Sequence, residues 1–155
     1  MELDDQRHYD EAEGWLELGN LSEAEAALNR ISPGVCEQPA VLEMRFHIYA
    51  QTDRWDEAHE LGKDFLVIEP ESLNAPALVA CALHRLGRSK EAYELLKPVC
   101  DAFPGESGPP YNLACICCAL DRVEEAREWL AKALEIGGKE LKLRALEDEE
   151  LAAIW

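Results

Sequence analysis

A glutamate–alanine pair recurs four times at an interval of 34 residues, as Glu23-Ala24, Glu57-Ala58, Glu91-Ala92 and Glu125-Ala126. No insertion or deletion disturbs that interval between residues 5 and 140. A fixed period of this length restricts the fold to an array of like supersecondary units, each burying its apolar face against its neighbours. Other columns keep the same register. Twelve residues before the alanine stand Ala12, Phe46, Ala80 and Ala114, and nine before it stand Trp15, Tyr49, Leu83 and Cys117. Five before it stand Gly19, Asp53, Gly87 and Asp121.

Each column has a physical reading. Small residues at the Ala12 and Ala24 columns let two antiparallel helices approach closely. The Trp15 column fills the space between one helix pair and the next. Glycine or aspartate at the third column ends the first helix, because both tolerate the backbone of a tight turn. Ser22, Asp56 and Ser89 are expected to supply N-cap or first-turn groups for the second helix, with glutamate close behind at its positive end. Helices are predicted over 5–18, 22–31, 39–52, 55–68, 73–86, 89–102, 109–120 and 123–136. Ser32, Pro33 and Gly34 cut the second short. Pro98 falls inside the sixth, where it forfeits a ladder bond and predicts a kink.

The segments LGNLSEAEAALNRI, TDRWDEAHELGKDFLVIEP, LGRSKEAYELLKPVCDAFP and LDRVEEAREWLAKALEI closely resemble tetratricopeptide repeats. The repeats run over 5–38, 39–72, 73–106 and 107–140. The fourth departs from the pattern, carrying Gly137 and Gly138 where a closing proline is usual. The resemblance implies an all-α, right-handed superhelical solenoid of helix–turn–helix repeats spanning residues 1–155 as a single array. It also implies that the protein works as a scaffold for protein–protein interaction, without catalysis and without a cofactor. Residues 139–155 leave the repeat but keep apolar residues at Leu143, Leu146, Leu151 and Ile154, and their wording resembles endings of bacterial tetratricopeptide proteins. They are expected to cap the apolar side of the last helix pair.

Charge narrows the partner. With 15 basic against 32 acidic residues the formal charge is -17, a field that repels phosphate backbones and argues against nucleic acid. It steers basic or basic-apolar protein segments inward. No stretch approaches the ~20 apolar residues of a membrane span, and the acidic start lacks the basic-then-apolar order of a signal peptide. A cytoplasmic setting is expected, with the six cysteines as reduced thiols. No phosphate loop, dinucleotide fingerprint, nucleophile elbow or HExxH appears, and the four histidines are scattered, so an enzyme is not expected.

In the resembling family the first helix of each pair lines a concave groove. By helical spacing that face carries Tyr9, Glu13 and Glu17, then Glu43, Met44 and His47. The third and fourth repeats add Leu78, Cys81, His84 and Arg85, then Tyr111, Asn112, Cys115 and Cys118. The gradient from acidic to soft and apolar fits a peptide that is basic at one end and apolar at the other, anchored near Tyr111 and Leu78. Co-chaperone members of the family clamp a C-terminal carboxylate with Lys, Arg and Asn at positions held here by Tyr9, Glu13, Glu43, His47, Ala77, Cys81, Tyr111 and Cys115. None is Lys, Arg or Asn, so chaperone tails are not the expected ligand. Two alternatives stand beside this reading. One is self-association. The other is a soft-metal or redox-responsive groove, because Cys81/His84 and Cys115/Cys118 both sit at i, i+3 spacing on neighbouring first helices.

Overall fold

A computed structural model describes all residues, 1–155. It contains eight α-helices and no strand: α1 (Leu3–Glu17), α2 (Leu21–Leu28), α3 (Pro39–Gln51), α4 (Trp55–Ile68), α5 (Asn74–Arg85), α6 (Ser89–Ala102), α7 (Gly108–Ala119) and α8 (Val123–Glu147). A terminal 3₁₀ helix, Glu149–Ile154, ends the chain. The chain divides into two compact units, Met1–Ala75 and Pro76–Trp155. No helix is long and apolar enough to cross a membrane.

The repeat columns become turns and crossings. Gly19, Asp53, Gly87 and Asp121 all adopt positive φ, at 75, 56, 78 and 59°. Each lies just past the C-terminal end of a first helix, and the residue after it donates back to the Trp15 column. Asn20 N–H reaches Trp15 O at 2.9 Å, and Arg54, Arg88 and Arg122 reach Tyr49, Leu83 and Cys117 at 2.8 Å each. That six-to-one bond defines a Schellman end, which satisfies orphan carbonyls while reversing the chain. Ala12, Ala24, Ala58, Ala80, Ala92, Ala114 and Ala126 are all fully buried, as close helix crossings require.

Asn20, Arg54, Arg88 and Arg122 are the N-caps, and Ser22, Asp56 and Ser89 take the first turn, the second of the two places expected for them. Only Asn20 caps through its side chain, accepting from Glu23 N–H at 3.2 Å. The arginines instead pair with the repeat's glutamate three residues on: Arg54 with Glu57 at 2.6 Å and Arg88 with Glu91 at 2.5 Å.

In the first unit, α1 packs on α2, α2 on α3 and α3 on α4. Ala12, Ala24, Leu28, Ile31, Val41 and Ile48 form the heart of its core, with Trp15 packed against it. Asp5 is only 3% exposed; it accepts from Ser32 N–H at 2.8 Å and so ties the loop after the short α2 back to α1. Arg54 joins successive hairpins by donating to Glu25 at 2.7 Å while its guanidinium lies 4.5 Å from the centre of the Tyr49 ring.

In the second unit α6 packs on α7 and α7 on α8. Tyr93 of α6 donates to Glu125 of α8 at 2.5 Å, linking the hairpins as Arg54 does in the first unit. The α6 helix runs on through Pro98, which is exposed. The helix that begins at Val123 is broken at Gly138, close to the end at residue 136 that the sequence predicts, and a second helical stretch follows it. That second stretch reaches Glu147, and Gly138 between the two has φ 70° and ψ −155°, a conformation reserved in practice for glycine. A Cβ on Gly137 would meet Leu141 Cδ2 at 2.4 Å. The glycine pair therefore redirects the chain into the tail where a proline would have ended it.

Candidate functional site

Residues on the first helices of the first unit form an acidic, open face. Glu13, Glu17 and His47 are exposed, and Tyr9 and Glu43 are half-buried. Burial and then the neighbouring carboxylates of Glu13, Glu43 and Asp10 push the Tyr9 phenol up, which puts those acids around one aromatic ring. Glu43 also accepts from the Asn74 amide at 2.8 Å, and His47 contacts Gln51 one turn on. Met44 departs from expectation: it belongs to the buried core cluster with Ile48 and Val41. The face of α3 that meets α2 takes it inward, because Glu43 and His47 occupy the outward positions on either side.

The second unit places the rest of the predicted groove under the chain's own tail. Tyr111 and Cys115 are 3% and 5% exposed. Tyr111 donates its hydroxyl to Asp148 at 2.6 Å, and the Arg144 guanidinium lies 5.1 Å from its ring centre. His84 Nε2 meets Glu150 at 2.8 Å, and its Nδ1 meets the Ser89 hydroxyl at 3.0 Å. Burial, with the carboxylates of Glu150 and Asp148, pushes the Cys115 and Cys118 thiols up. A cleft of about 190 Å³ remains beside the tail, lined among others by Cys81, Arg85, Tyr111, Asn112, Cys115 and Glu150. The Cys81 thiol is raised mainly by burial, and Leu78 is half-buried.

The tail thus caps differently from the sequence expectation. Leu151 and Ile154 are buried and Ala145 with them, but Leu143 and Leu146 are 55% and 51% exposed. The 3₁₀ helix packs on both α7 and α8, and Arg127 donates to the Ile154 carbonyl at 3.3 Å. Asp148, Glu150 and Arg144 are site residues that sequence reasoning did not single out. The signal was weak, since acidic residues occur throughout the chain. Potential ligand atoms of Cys115, Asp148 and Glu150 lie within 4.8 Å of one another.

Two further clefts lie along second helices. One, of about 380 Å³, is lined by Cys100, Pro104, Pro110, Trp129, Lys132 and Ile136 among others. The other, of about 370 Å³, is lined mainly by Tyr49, Glu57, Glu60, Leu61 and Asp64. The Cys100 thiol on the first is pushed up to about 11, chiefly by burial.

Helical hairpins in a 34-residue period, with Schellman reversals and alanine crossings, define a helix–turn–helix repeat array. The particular fold is the tetratricopeptide-repeat solenoid. A MamA structure from Desulfovibrio magneticus RS-1 matches with a TM-score of 0.81 at 19% identity, covering 94% of this chain and 82% of that one. A thermophilic tetratricopeptide protein from Thermus thermophilus matches with a TM-score of 0.79 at 17% identity, covering 97% and 80%. A MamA structure from strain MSR-1 matches with a TM-score of 0.72 at 21% identity, covering 87% and 78%. No protein-family model and no curated sequence matches the chain.

Proposed function

We propose that this protein is a non-catalytic interaction scaffold whose α1/α3 face takes a Lys- or Arg-bearing segment of a partner protein. The observation that carries the reading is the set of carboxylates Glu13, Glu43 and Asp10 near the half-buried Tyr9, with Glu17 further along the exposed side of α1. A cationic side chain laid over the Tyr9 ring gains a cation–π contact as well as charge complementarity. The acidic field of the whole chain adds long-range attraction and raises the encounter rate. Glu43, held by the Asn74 amide, offers specificity at little ordering cost.

A scaffold fits the rest of the chemistry. Burial raises the Cys81, Cys100, Cys115, Cys117 and Cys118 thiols, Cys117 to about 12. Such thiols hold little thiolate at neutral pH and make poor nucleophiles. A cytoplasmic location belongs to the same reading. The expected apolar anchor at Tyr111 is set aside for the free protein, because the tail covers that ring.

The test is association of fluorescent Lys/Arg-rich peptides with the full chain across a salt series. Binding should weaken steeply with salt, and Glu13→Gln with Glu43→Gln should flatten that dependence. Equal salt slopes for wild type and the double variant would place binding elsewhere.

A further inference from the structure

We propose that the face of the second unit built from α5, α7 and α8 is a binding site for an acidic–apolar segment of another protein. The required form is a carboxylate, a second carboxylate two residues on, and apolar residues one and four positions after that. In the free chain the site is filled by the protein's own Asp148, Glu150, Leu151 and Ile154. The proposal rests on the scaffold reading above but concerns a different face and a partner of opposite charge.

The tail's contacts state what the face recognises. Apolar capping alone would need no directional bonds, yet Asp148 accepts from Tyr111 at 2.6 Å and Glu150 meets His84 at 2.8 Å. Asp148 uses its other oxygen to accept from Glu150 N–H at 3.0 Å, which sets the two carboxylates on their partners. Ser89 holds the far side of the imidazole, so His84 is oriented before any ligand arrives. Leu151 and Ile154, three residues apart on the 3₁₀ helix that packs against α7 and α8, supply the buried apolar part.

The tail is also built to leave. Gly138 breaks α8 in a glycine-only conformation, giving a pivot at its root. The following helical stretch exposes Leu143 and Leu146 and buries only Ala145, so little apolar area holds it down. The last segment is 3₁₀ rather than α, a form with poor bond geometry that persists only in short pieces. The cleft of about 190 Å³ beside it leaves room for side chains longer than the tail supplies. A foreign segment competes with a tethered one at an effective concentration on the order of millimolar. Its apparent affinity is reduced by the fraction of chains whose tail is docked.

The probe is a fluorescein-labelled peptide of residues 145–155, titrated by anisotropy into the full-length chain. Wild type should bind it weakly. Asp148→Asn with Glu150→Gln loosens the resident tail and should tighten peptide binding at least about ten-fold, as an increased open fraction requires. Adding His84→Ala should return binding to the weak level. Should the double variant fold poorly, Glu150→Gln alone, at an exposed side chain, should still tighten binding several-fold. A peptide carrying the same Asn and Gln replacements should bind worse than the native one. Equal binding by wild type and tail variants, equal binding of the two peptides, or no binding anywhere would overturn the site. Concentration-dependent dimerisation of wild type that the peptide abolishes would give the site to a second copy, and overturn a foreign partner. These outcomes do not depend on Glu13 or Glu43, so failure here and failure of the scaffold reading are separable.

Discussion

Replacing one glycine by alanine at two places in this chain should give opposite results. Gly87 lies at φ 78°, and a Cβ built there meets nothing within 4 Å. The cost of Gly87→Ala is therefore conformational and not steric. An L-residue in the left-handed region costs roughly 1–2 kcal/mol, and lowered unfolded-state entropy returns ~0.4–1 kcal/mol. The net is a destabilisation of about 1 kcal/mol, or roughly 2–4 °C in melting temperature for a chain this size. Gly14 lies within α1, also with open space at its Cβ and without a positive φ. There the same change removes a helix-interior glycine and should stabilise by ~0.5–1 kcal/mol. Asp53→Gly and Asp121→Gly should stay within about 0.5 kcal/mol of wild type, because aspartate already tolerates the turn. Thermal and urea unfolding followed by helical circular dichroism reads all four. If Gly87→Ala and Gly14→Ala shift stability in the same direction, the Schellman reading of the repeat turns is wrong.

Ala92→Phe or Ala126→Phe, each at a fully buried position, should lose ~1–3 kcal/mol by overpacking, whereas Glu94→Gln should stay within about 0.5 kcal/mol; urea midpoints separate them. Met44→Ala should lose ~2–5 kcal/mol as a core truncation, while the adjacent Glu43→Gln leaves stability nearly unchanged and alters only the salt dependence of partner binding. The bond from His84, with its charge and that of Arg85, holds the Glu150 carboxyl below the ordinary 4.5 against an opposing burial effect. A depressed carboxylate pKa contributes docking above the unfolded value and loses it as pH falls through the folded one. Tail resonances followed by NMR should therefore shift toward the undocked state below about pH 4.5, and Glu150→Gln should lose part of that pH dependence.

Much of the fold was legible because a repeat states each constraint four times. The turn column predicted reversals, and all four of its members take positive φ. The helix ends fell within three residues of expectation, the eighth breaking at Gly138 against a predicted end at 136. Ser22, Asp56 and Ser89 read as N-cap or first-turn groups and take the first turn, while the periodic Asn20, Arg54, Arg88, Arg122 column went unread because arginine is not a conventional cap. Local rules failed where the repeat stops. The break at Gly137 and Gly138 was legible, but not the further helical stretch that follows it. Met44 sat beside one groove acid and three residues from His47, and a wide helical stripe cannot separate a rim residue from a core one. The tail's seat on Tyr111 and His84 depends on pairs 37 and 66 residues apart in sequence. No periodicity marks such pairs.

The central claim is that the α1/α3 face selects basic segments, and peptide selection tests it most directly. A random peptide library displayed against the full-length chain, sequenced before and after enrichment, should yield ligands rich in Lys and Arg. The same selection against the Glu13→Gln/Glu43→Gln variant should lose that bias. Ligands with no excess of Lys and Arg, or an excess that survives in the variant, would contradict the assignment of this face.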